Sequence, residues 1–231
     1  MLVKWDDIPA DLKNEYVEKY YSALRKRKCS LFMKRAFDIV ISIVMIIVLS
    51  PVLAGLALLI KLDSKGPVFY RQVRITAGCK EFRIFKFRTM VENADKIGAL
   101  ITSEGDPRIT NIGKTLRKLR LDELPQLFNI FLGEMTFVGT RPEVMKYVDV
   151  YSDEMKATLL LPAGVTSLAS VCYKDEDEIM ARYTSEGFSA DEAYIKYVLP
   201  DKMRYNLDYL VGFSFWGDIR LMIKTVISVL R

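Results

Sequence analysis

Asp122 and Glu123 are adjacent carboxylates in a segment that is rich in positive charge. Lys114, Arg117, Lys118 and Arg120 precede the pair, and a Gly-Thr-Arg-Pro segment that contains Arg141 follows it. Carboxylates bind Mg²⁺ or attack phosphorus, whereas Arg and Lys bind phosphate oxygens. The grouping therefore indicates chemistry on a metal-bound phosphate ester. The alternative is structural, with Asp122 as a helix cap and Glu123 as an acidic residue of the first turn.

The chain contains no histidine, so Ser-His-Asp and Cys-His catalysis, His-ligated zinc and haem are excluded. Carboxylates, Lys, Arg and Tyr are left to carry any chemistry. Cys29, Cys79 and Cys172 lie far apart, with neither metal-ligand spacing nor a disulfide pattern. Their spacing fits a reducing cytoplasm.

Two short helices are predicted around the carboxylate pair. Asn111 is the expected N-cap of the first, Pro125 falls in the first turn of the second, and Gly133 is its expected C-cap. The apolar residues at helical spacing are Ile112, Leu116 and Leu119, then Leu124, Leu127, Phe128 and Phe131. This places Asp122 and Glu123 at a helix N-terminus, where free N–H groups favour the ionised form. We therefore expect exposed, deprotonated carboxylates.

A β-hairpin is predicted from Val68–Ile75 and Glu81–Met90, joined by a turn over Thr76–Lys80. Side chains alternate between the two faces of a strand, so Lys86 and Arg88 share one side of the second strand. The pair is expected to point in the same direction.

The segment Ala36–Ile60 is almost wholly apolar. At about 1.5 Å per residue it reaches about 37 Å, enough to cross a hydrocarbon core of about 30 Å. Ser50-Pro51 in its middle predicts a kink that leaves arms of about 21 Å and 14 Å, neither of which can span. Both flanks are basic, so the distribution of positive charge does not favour placing them in different compartments. A re-entrant helix is preferred over a spanning one, with Asp38 near the interface and paired with Lys34 or Arg35.

The two ends of the chain also read as amphipathic helices. Residues 1–30 repeat Leu12, Tyr16, Tyr20 and Leu24 at helical spacing and end in a basic cluster. They are expected on the membrane or on the catalytic domain, with a solvated helix as the alternative. The tail from Phe213 to Arg231 is expected to be an interfacial helix with an aromatic anchor, with a plain core helix as the alternative.

The fold class expected is α/β, mostly α-helical with a small β-hairpin or sheet, in a monotopic membrane protein. Three regions are predicted: an N-terminal helical extension (1–30), a re-entrant membrane helix (31–62) and a cytoplasmic catalytic domain (63–231). Within the last, a polar helix is expected over 91–100, mixed helix over 146–161 and helix over 194–210. The acidic run at 175–178 is interpreted as a solvated helix start rather than a metal site, because consecutive side chains of a helix do not converge on one ion.

Several motifs in order resemble the bacterial sugar transferase family, also called monotopic phosphoglycosyl transferases. They are KFRTM at 86–90, DPRIT and IGKTLRK before the carboxylate pair, and LDELPQLFNIFLGEMTFVGTRP at 121–142. The resemblance runs from about Met33 to the C-terminus. It implies transfer of a sugar-1-phosphate from a UDP-sugar to polyprenyl (undecaprenyl) phosphate, with release of UMP. It also implies a re-entrant helix bent at Ser50 and Pro51.

The resemblance assigns roles to residues of this chain. Asp122 would be the nucleophile that forms a phospho-aspartate, with Glu123 assisting and both carboxylates contacting Mg²⁺. Lys86, Arg88 and Arg141 would bind substrate phosphate, and Asp208 would lie near the nucleotide. The chain departs from the family pattern at Thr140, where a proline is usual, and around Ala163 and Ser167, where a Pro-Gly-x-Thr-Gly turn is usual.

The expected partners are a UDP-sugar, polyprenyl phosphate and lipids of the cytoplasmic leaflet of a bacterial inner membrane. A homodimer is compatible with the sequence, and nucleic acid is not an expected partner because no recognition motif is present. Two other functions remain open. One is a catalytically silent membrane adaptor, and the other is a Mg²⁺-dependent phosphohydrolase that acts on nucleotide sugars.

Overall fold

The computed structural model describes residues 1–92, 94, 106–173 and 176–230. Most of the polar helix predicted over 91–100 lies outside the described residues, as does the start of the acidic run at 175–178. The rest of the chain forms helices joined by short turns, with two small sheets.

The α-helices are α1 (Glu15–Arg25), α2 (Lys28–Asp63), α3 (Asn111–Lys118), α4 (Gln126–Leu132), α5 (Met145–Val148), α6 (Leu168–Cys172), α7 (Glu176–Ser185), α8 (Ala190–Ala193), α9 (Leu199–Gly212) and α10 (Phe215–Leu230). The strands are β1 (Phe69–Thr76), β2 (Lys80–Phe87), β3 (Met135–Val138) and β4 (Ala163–Thr166). Short 3₁₀ turns cover Trp5–Asp7, Ala10–Leu12, Ala77–Cys79, Leu121–Glu123 and Met155–Leu160, and a π-helical turn covers Tyr194–Val198. The mostly helical α/β class is confirmed.

Strands β1 and β2 form the predicted antiparallel hairpin, with Tyr70 opposite Lys86. Strands β3 and β4 pair in parallel, with Met135 opposite Ala163. The turn expected around Ala163 is therefore wrong, because this segment is a strand. Its partner lies far away in the sequence, and a four-residue strand has too little periodicity to be recognised alone.

The mixed helix expected over 146–161 is divided between α5 and the 3₁₀ turn Met155–Leu160. Helix over 194–210 is confirmed as the π-helical turn followed by α9. The N-cap of α3 is Thr110, whose hydroxyl accepts a hydrogen bond from Gly113 N at 3.0 Å. The prediction of Asn111 was wrong by one residue, since threonine caps a helix by the same geometry.

Helix α2 is one 36-residue helix and is long and apolar enough to cross a membrane. One side of it packs against the rest of the protein along its whole length. Its contact residues are Leu31, Lys34, Asp38, Ser42, Met45, Ile46, Leu49, Leu53, Leu56, Ala57 and Ile60. Apart from the adjacent pairs Met45–Ile46 and Leu56–Ala57, these residues recur at intervals of three or four, so they form a single stripe. The opposite side is apolar and exposed, with Phe32, Ile47, Val48 and Leu62 at 66–75% exposure.

The polar residues in the first turns of α2 are buried in this stripe. Asp38 is 1% exposed and accepts a hydrogen bond from the Thr136 hydroxyl at 2.7 Å. Lys34 is 2% exposed and pairs with Asp218 at 2.5 Å. The expected pairing of Asp38 with Lys34 or Arg35 at the interface was wrong, because the domain itself supplies closer partners.

Proline 51 lies inside α2 and has no N–H to donate to the carbonyl of Ile47, one turn earlier. The Ser50 hydroxyl donates to that carbonyl at 2.7 Å. The Ser-Pro pair thus removes one helix hydrogen bond and replaces it locally, and the segment remains helical on both sides.

The N-terminal segment packs on the main core formed by the rest of the chain, which agrees with one of its two expected positions. Leu12, Val17 and Leu24 are buried in the main core beside Leu160 and Leu210. Tyr16, the second residue of the predicted repeat, is 52% exposed and does not belong to the buried stripe. The stripe passes through Val17 instead, because α1 begins only at Glu15 and its register is set by Asn14, which caps Val17 N at 2.9 Å.

At the other end of the chain, α10 has two different sides. Asp218 is buried and Thr225 hydrogen-bonds Thr166 at 2.8 Å. Trp216, Ile223, Val226 and Ile227 are 47–69% exposed. An apolar exposed side beside that of α2 is the arrangement expected of an interfacial helix.

Replacing Ser50 with Ala should leave the Ile47 carbonyl without a donor and cost about 1–3 kcal/mol. In the double variant Ser50→Ala/Pro51→Ala the new N–H at position 51 supplies the donor, so the cost should largely disappear. The free energy of unfolding in detergent measures both. Ser42→Ala is a comparison variant, since the Ser42 hydroxyl also donates to a carbonyl three residues earlier but is followed by an ordinary residue, and Ser42 is buried whereas Ser50 is exposed. Equal losses for Ser50→Ala in the presence and absence of Pro51 would contradict this interpretation.

Candidate active site

The centre of the site is an ion-paired carboxylate. Glu123 Oε1 accepts from Lys86 Nζ at 3.0 Å and from Arg141 Nη2 at 2.7 Å. Three elements thereby meet at one oxygen: strand β2, the 3₁₀ turn Leu121–Glu123 and the segment after β3. The side chains of Glu123, Lys86 and Arg141 are 12%, 21% and 34% exposed, so the cluster lies just below the protein surface and remains accessible to solvent.

Asp122 precedes Glu123 in the same 3₁₀ turn but has different surroundings. It is half-buried and, within the part of the chain that the structure describes, its carboxylate forms no hydrogen bond or ion pair with another side chain. The turn begins after Arg120, whose backbone is left-handed (φ 54°). This conformation is uncommon for a residue with a side chain and reverses the chain sharply between α3 and the carboxylates.

The two carboxylates also differ in their electrostatics. Burial tends to raise the pKa of Glu123, but Arg141 and Lys86 outweigh burial and lower this pKa to about 2. Burial raises the pKa of Asp122 above its ordinary value, and Lys86 opposes this only in part. The expectation of an exposed Asp122 stabilised by a helix N-terminus was therefore wrong, because the pair lies in a half-buried 3₁₀ turn that ends before α4 begins at Gln126. Burial likewise lowers the pKa of Lys86, and Glu123 opposes this.

Asn129 fixes the distance between Lys86 and the turn, and the sequence did not single it out. It is fully buried on α4, where Oδ1 accepts from Phe85 N at 2.8 Å and Nδ2 donates to Arg83 O at 3.0 Å. A side-chain amide that replaces strand hydrogen bonds locks β2 onto α4. The helix predicted from the apolar spacing is confirmed as α4, although Phe131 on its apolar face is 44% exposed.

The backbone on both sides of Arg141 is held at four points. Gly139 N donates to Thr166 O, Gly164 N to Thr140 O, Arg74 Nη1 to Pro142 O and Ile75 N to Glu143 O, at 2.8–3.1 Å. A Cβ at Gly164 would lie 2.2 Å from Gly139 N, so the close approach of β3 and β4 requires glycine. These bonds orient Arg141 although Thr140 stands in place of proline.

A second network lies beneath this segment and was also absent from the sequence prediction. Tyr194 donates to Glu143 Oε1 at 2.6 Å, and Arg74 Nη1 lies 3.9 Å from Glu143 Oε2. The one local signal was a carboxylate directly after Arg141-Pro142. Tyr194 and Arg74 are distant in sequence, and only the fold brings them together.

The donor set suits Mg²⁺ that arrives with a substrate rather than a metal held by the protein alone. Among the described residues no group of three or more His, Cys, Asp and Glu side chains converges. Mg²⁺ is commonly bound by one or two carboxylates together with substrate phosphates. Asp122 is available for this, whereas Glu123 Oε1 is already shared by two cations.

A sequence profile of bacterial sugar transferases matches residues 29–231. The chain belongs to the bacterial sugar transferase family. It is 50% identical over 208 residues to an exopolysaccharide production protein, PSS, from Rhizobium leguminosarum bv. phaseoli. The aligned region covers 87% of this chain and 96% of that protein.

Two relatives carry more specific names. A UDP-N-acetylgalactosamine-undecaprenyl-phosphate N-acetylgalactosaminephosphotransferase from Aeromonas hydrophila is 35% identical over 202 residues, 86% of this chain and 44% of that protein. A UDP-glucose:undecaprenyl-phosphate glucose-1-phosphate transferase from Klebsiella pneumoniae is 32% identical over 203 residues, 85% of this chain and 40% of that protein. The chain thus spans less than half the length of these two proteins.

Two residues predicted for the site of this family member lie elsewhere. Arg88 is 5% exposed, and its Nη2 donates to Ser64 O at 2.7 Å and Ser64 Oγ at 2.9 Å, at the end of α2. Asp208 is exposed in the wall of a cavity of about 250 Å³ between α9 and α10, beside Arg220 and Lys224. The structure therefore groups Asp122, Glu123, Lys86 and Arg141, and places Arg88 and Asp208 in other surroundings.

Glu123→Gln should reduce the free energy of unfolding by about 1–3 kcal/mol at neutral pH, because Lys86 and Arg141 lose their shared counter-charge. The folded-state pKa of about 2 lies below the ordinary 4.5, so this contribution is present above about pH 4.5 and is lost as pH falls through about 2. The difference in unfolding free energy between wild type and variant, measured against pH, should follow this profile.

The matched control is Glu186→Gln, which breaks the exposed pair with Arg182 and should cost less than about 0.5 kcal/mol. A Glu123→Gln effect no larger than this control would refute the ion-pair argument.

Proposed function

We propose that this protein transfers a sugar-1-phosphate from a UDP-sugar to undecaprenyl phosphate. The observation that carries the proposal is the difference between the two adjacent carboxylates. Glu123 is ion-paired with Lys86 and Arg141, and Asp122 is not. Membership of the sugar transferase family and the names of the relatives support the substrate classes.

In the first step, an Asp122 carboxylate oxygen attacks the phosphorus that bears the sugar. The P–O bond to the second phosphate breaks, its electron pair leaves with UMP, and a sugar-phospho-aspartate remains. The raised pKa of Asp122 favours this attack, because a carboxylate with less stabilised charge is a better nucleophile. Lys86 and Arg141, which both contact Glu123, would stabilise the phosphoryl oxygens.

In the second step, a phosphate oxygen of undecaprenyl phosphate attacks the same phosphorus. The bond to Asp122 breaks and the carboxylate is regenerated with its electron pair. Asp122 and undecaprenyl phosphate attack the same phosphorus one after the other, so the UDP-sugar and the lipid need not be bound at the same time. Mg²⁺, when bound with the diphosphate, would neutralise part of the charge that opposes the approach of Asp122.

The membrane arrangement we propose is re-entrant and monotopic. The domain contacts α2 from Leu31 to Ile60, so both ends and the middle of the helix face the same folded unit. A helix that crossed a bilayer alone would leave its middle free of such contacts. The exposed apolar sides of α2 and α10 would then lie in the cytoplasmic leaflet of the bacterial inner membrane, with the carboxylates facing the cytoplasm. The transfer would be the first membrane step of glycan or glycoconjugate assembly.

Asp122→Asn should reduce UMP release by at least about a thousandfold, the scale on which loss of a covalent nucleophile acts. Wild-type protein in detergent with Mg²⁺ and a panel of UDP-sugars should gain the mass of one sugar phosphate when undecaprenyl phosphate is absent. The variant should show no adduct. UMP release and intact mass are measured, with Asp201→Asn as the control because Asp201 is an exposed aspartate on α9.

The same experiment separates the alternatives. Multiple turnovers that require the lipid support the transferase. UMP turnover that is indifferent to the lipid would indicate a phosphohydrolase, and no UMP from any sugar would favour the adaptor. An adduct that persists in Asp122→Asn would overturn the assignment of the nucleophile.

A further inference from the structure

A groove of about 810 Å³ lies at the start of α2, away from the carboxylate pair. One wall is a face of α1 that carries Glu18, Tyr21 and Arg25, and the opposite wall is the face of α2 that carries Lys28, Phe32 and Arg35. In each helix these residues lie within two turns and on one side. The N-terminal segment before α1 closes the third side.

The groove is a built feature of the fold. Val3 N donates to Leu160 O at 3.3 Å, and Asn14 Nδ2 donates to Asp153 O at 3.1 Å. Ile8 and Leu12 are both 4% exposed and belong to the main core. The N-terminal wall is therefore fixed to the domain at several points, and the groove persists as long as the domain is folded.

The groove favours an anion. Lys4, Arg25, Lys28 and Arg35 line it, against the carboxylates Asp6 and Glu18. Arg35 also donates to the Ile130 and Phe131 carbonyls, so binding of an anion would depend mainly on Lys4, Arg25 and Lys28. Arg25 lies in the last turn of α1 and Lys28 in the first turn of α2, so these two cations stand where the two helix walls meet.

The groove also has an apolar part, which continues onto the exposed side of α2 that we propose to contact lipid. Trp5 packs against Tyr21 with ring centroids 5.0 Å apart, and both line the groove. Phe32 lines it as well and is 74% exposed on the outer side of α2, beside Met33 at 39%. An occupant can therefore place a charged group among the cations and an acyl chain along α2.

We propose that this groove binds the head group of an anionic phospholipid, with its acyl chains against the exposed side of α2. A free phosphate would use the cations but not the aromatic wall or the continuity with α2. Much of the groove comes from residues before position 29, where the family profile begins. The site goes beyond the transfer reaction and would anchor the start of α2 to the membrane surface.

The chain offers a direct reporter of this site. It contains two tryptophans: Trp5 lines the groove, whereas Trp216 is 69% exposed on α10. In Trp216→Phe protein, brominated phosphatidylglycerol in detergent should quench Trp5 at lower concentration than brominated phosphatidylcholine. In Trp5→Phe protein, quenching of Trp216 should differ little between the two lipids, because it reports general contact with the apolar phase.

Neutralising two groove cations in the Trp216→Phe background, Arg25→Gln/Lys28→Gln, should raise the phosphatidylglycerol midpoint by about 30-fold, as expected for two cations near an anionic lipid. The matched control is Lys19→Gln/Lys26→Gln, which removes two exposed cations of the same region that do not line the groove. The control should shift the midpoint by less than about threefold. Ser22→Phe fills the groove without changing its charge and should also abolish the preference for phosphatidylglycerol.

Equal shifts for the two charge pairs would overturn the proposal, since the attraction would then be general to the surface. An unchanged preference in Ser22→Phe would do the same. Displacement of the lipid by millimolar inorganic phosphate would mean that the groove binds free phosphate rather than a lipid. None of these readouts depends on UMP release, so failure of this site and failure of the transferase assignment are distinguishable.

Discussion

The fold depends on the burial of a few polar side chains in a helix that is otherwise apolar. Lys34 and Asp38 lie on the domain side of α2, where Asp218 and Thr136 supply their partners. A buried charge without a partner is costly, and in contact with lipid it would be more costly still. These contacts therefore fix which side of α2 faces the domain, and the apolar side must face outward.

The same contacts connect the membrane helix to the site. Asp38 binds Thr136 and Lys34 donates to Val138 O, both on β3. Three residues beyond Val138 the chain reaches Arg141, with each intervening residue held against β4 or by its neighbours. Lys34 and Asp38, in the first turns of α2, thus help to position Arg141, one of the two cations that bind Glu123. We infer that a change in how α2 docks would alter the distance between Arg141 and Glu123.

Local sequence signals predicted helices, turns and the hairpin, whereas the partners of buried side chains depend on contacts between distant segments. Gly133 in a left-handed C-cap and the β1–β2 hairpin follow from a few neighbouring residues, and both predictions are confirmed. The partner of Asp38, the strand β4 and the clamp at Asn129 depend on segments far apart in sequence. Alternation predicted that Lys86 and Arg88 share one side of a strand, but β2 ends at Phe87, and Arg88 binds Ser64 whereas Lys86 binds Glu123.

Adjacent residues can take different catalytic roles only if their surroundings differ, and a 3₁₀ turn achieves this over one residue. Glu123 is directed at Lys86 and Arg141, and their charge outweighs its burial. Burial raises the pKa of Asp122 and Lys86 offsets this only in part, so the charge of Asp122 is less stabilised. A carboxylate shared by two cations would be a poor nucleophile, and a free one would be a poor anchor for them. We propose attack by Asp122 and positioning by Glu123 on the strength of this asymmetry, which the sequence of two neighbouring acids does not reveal.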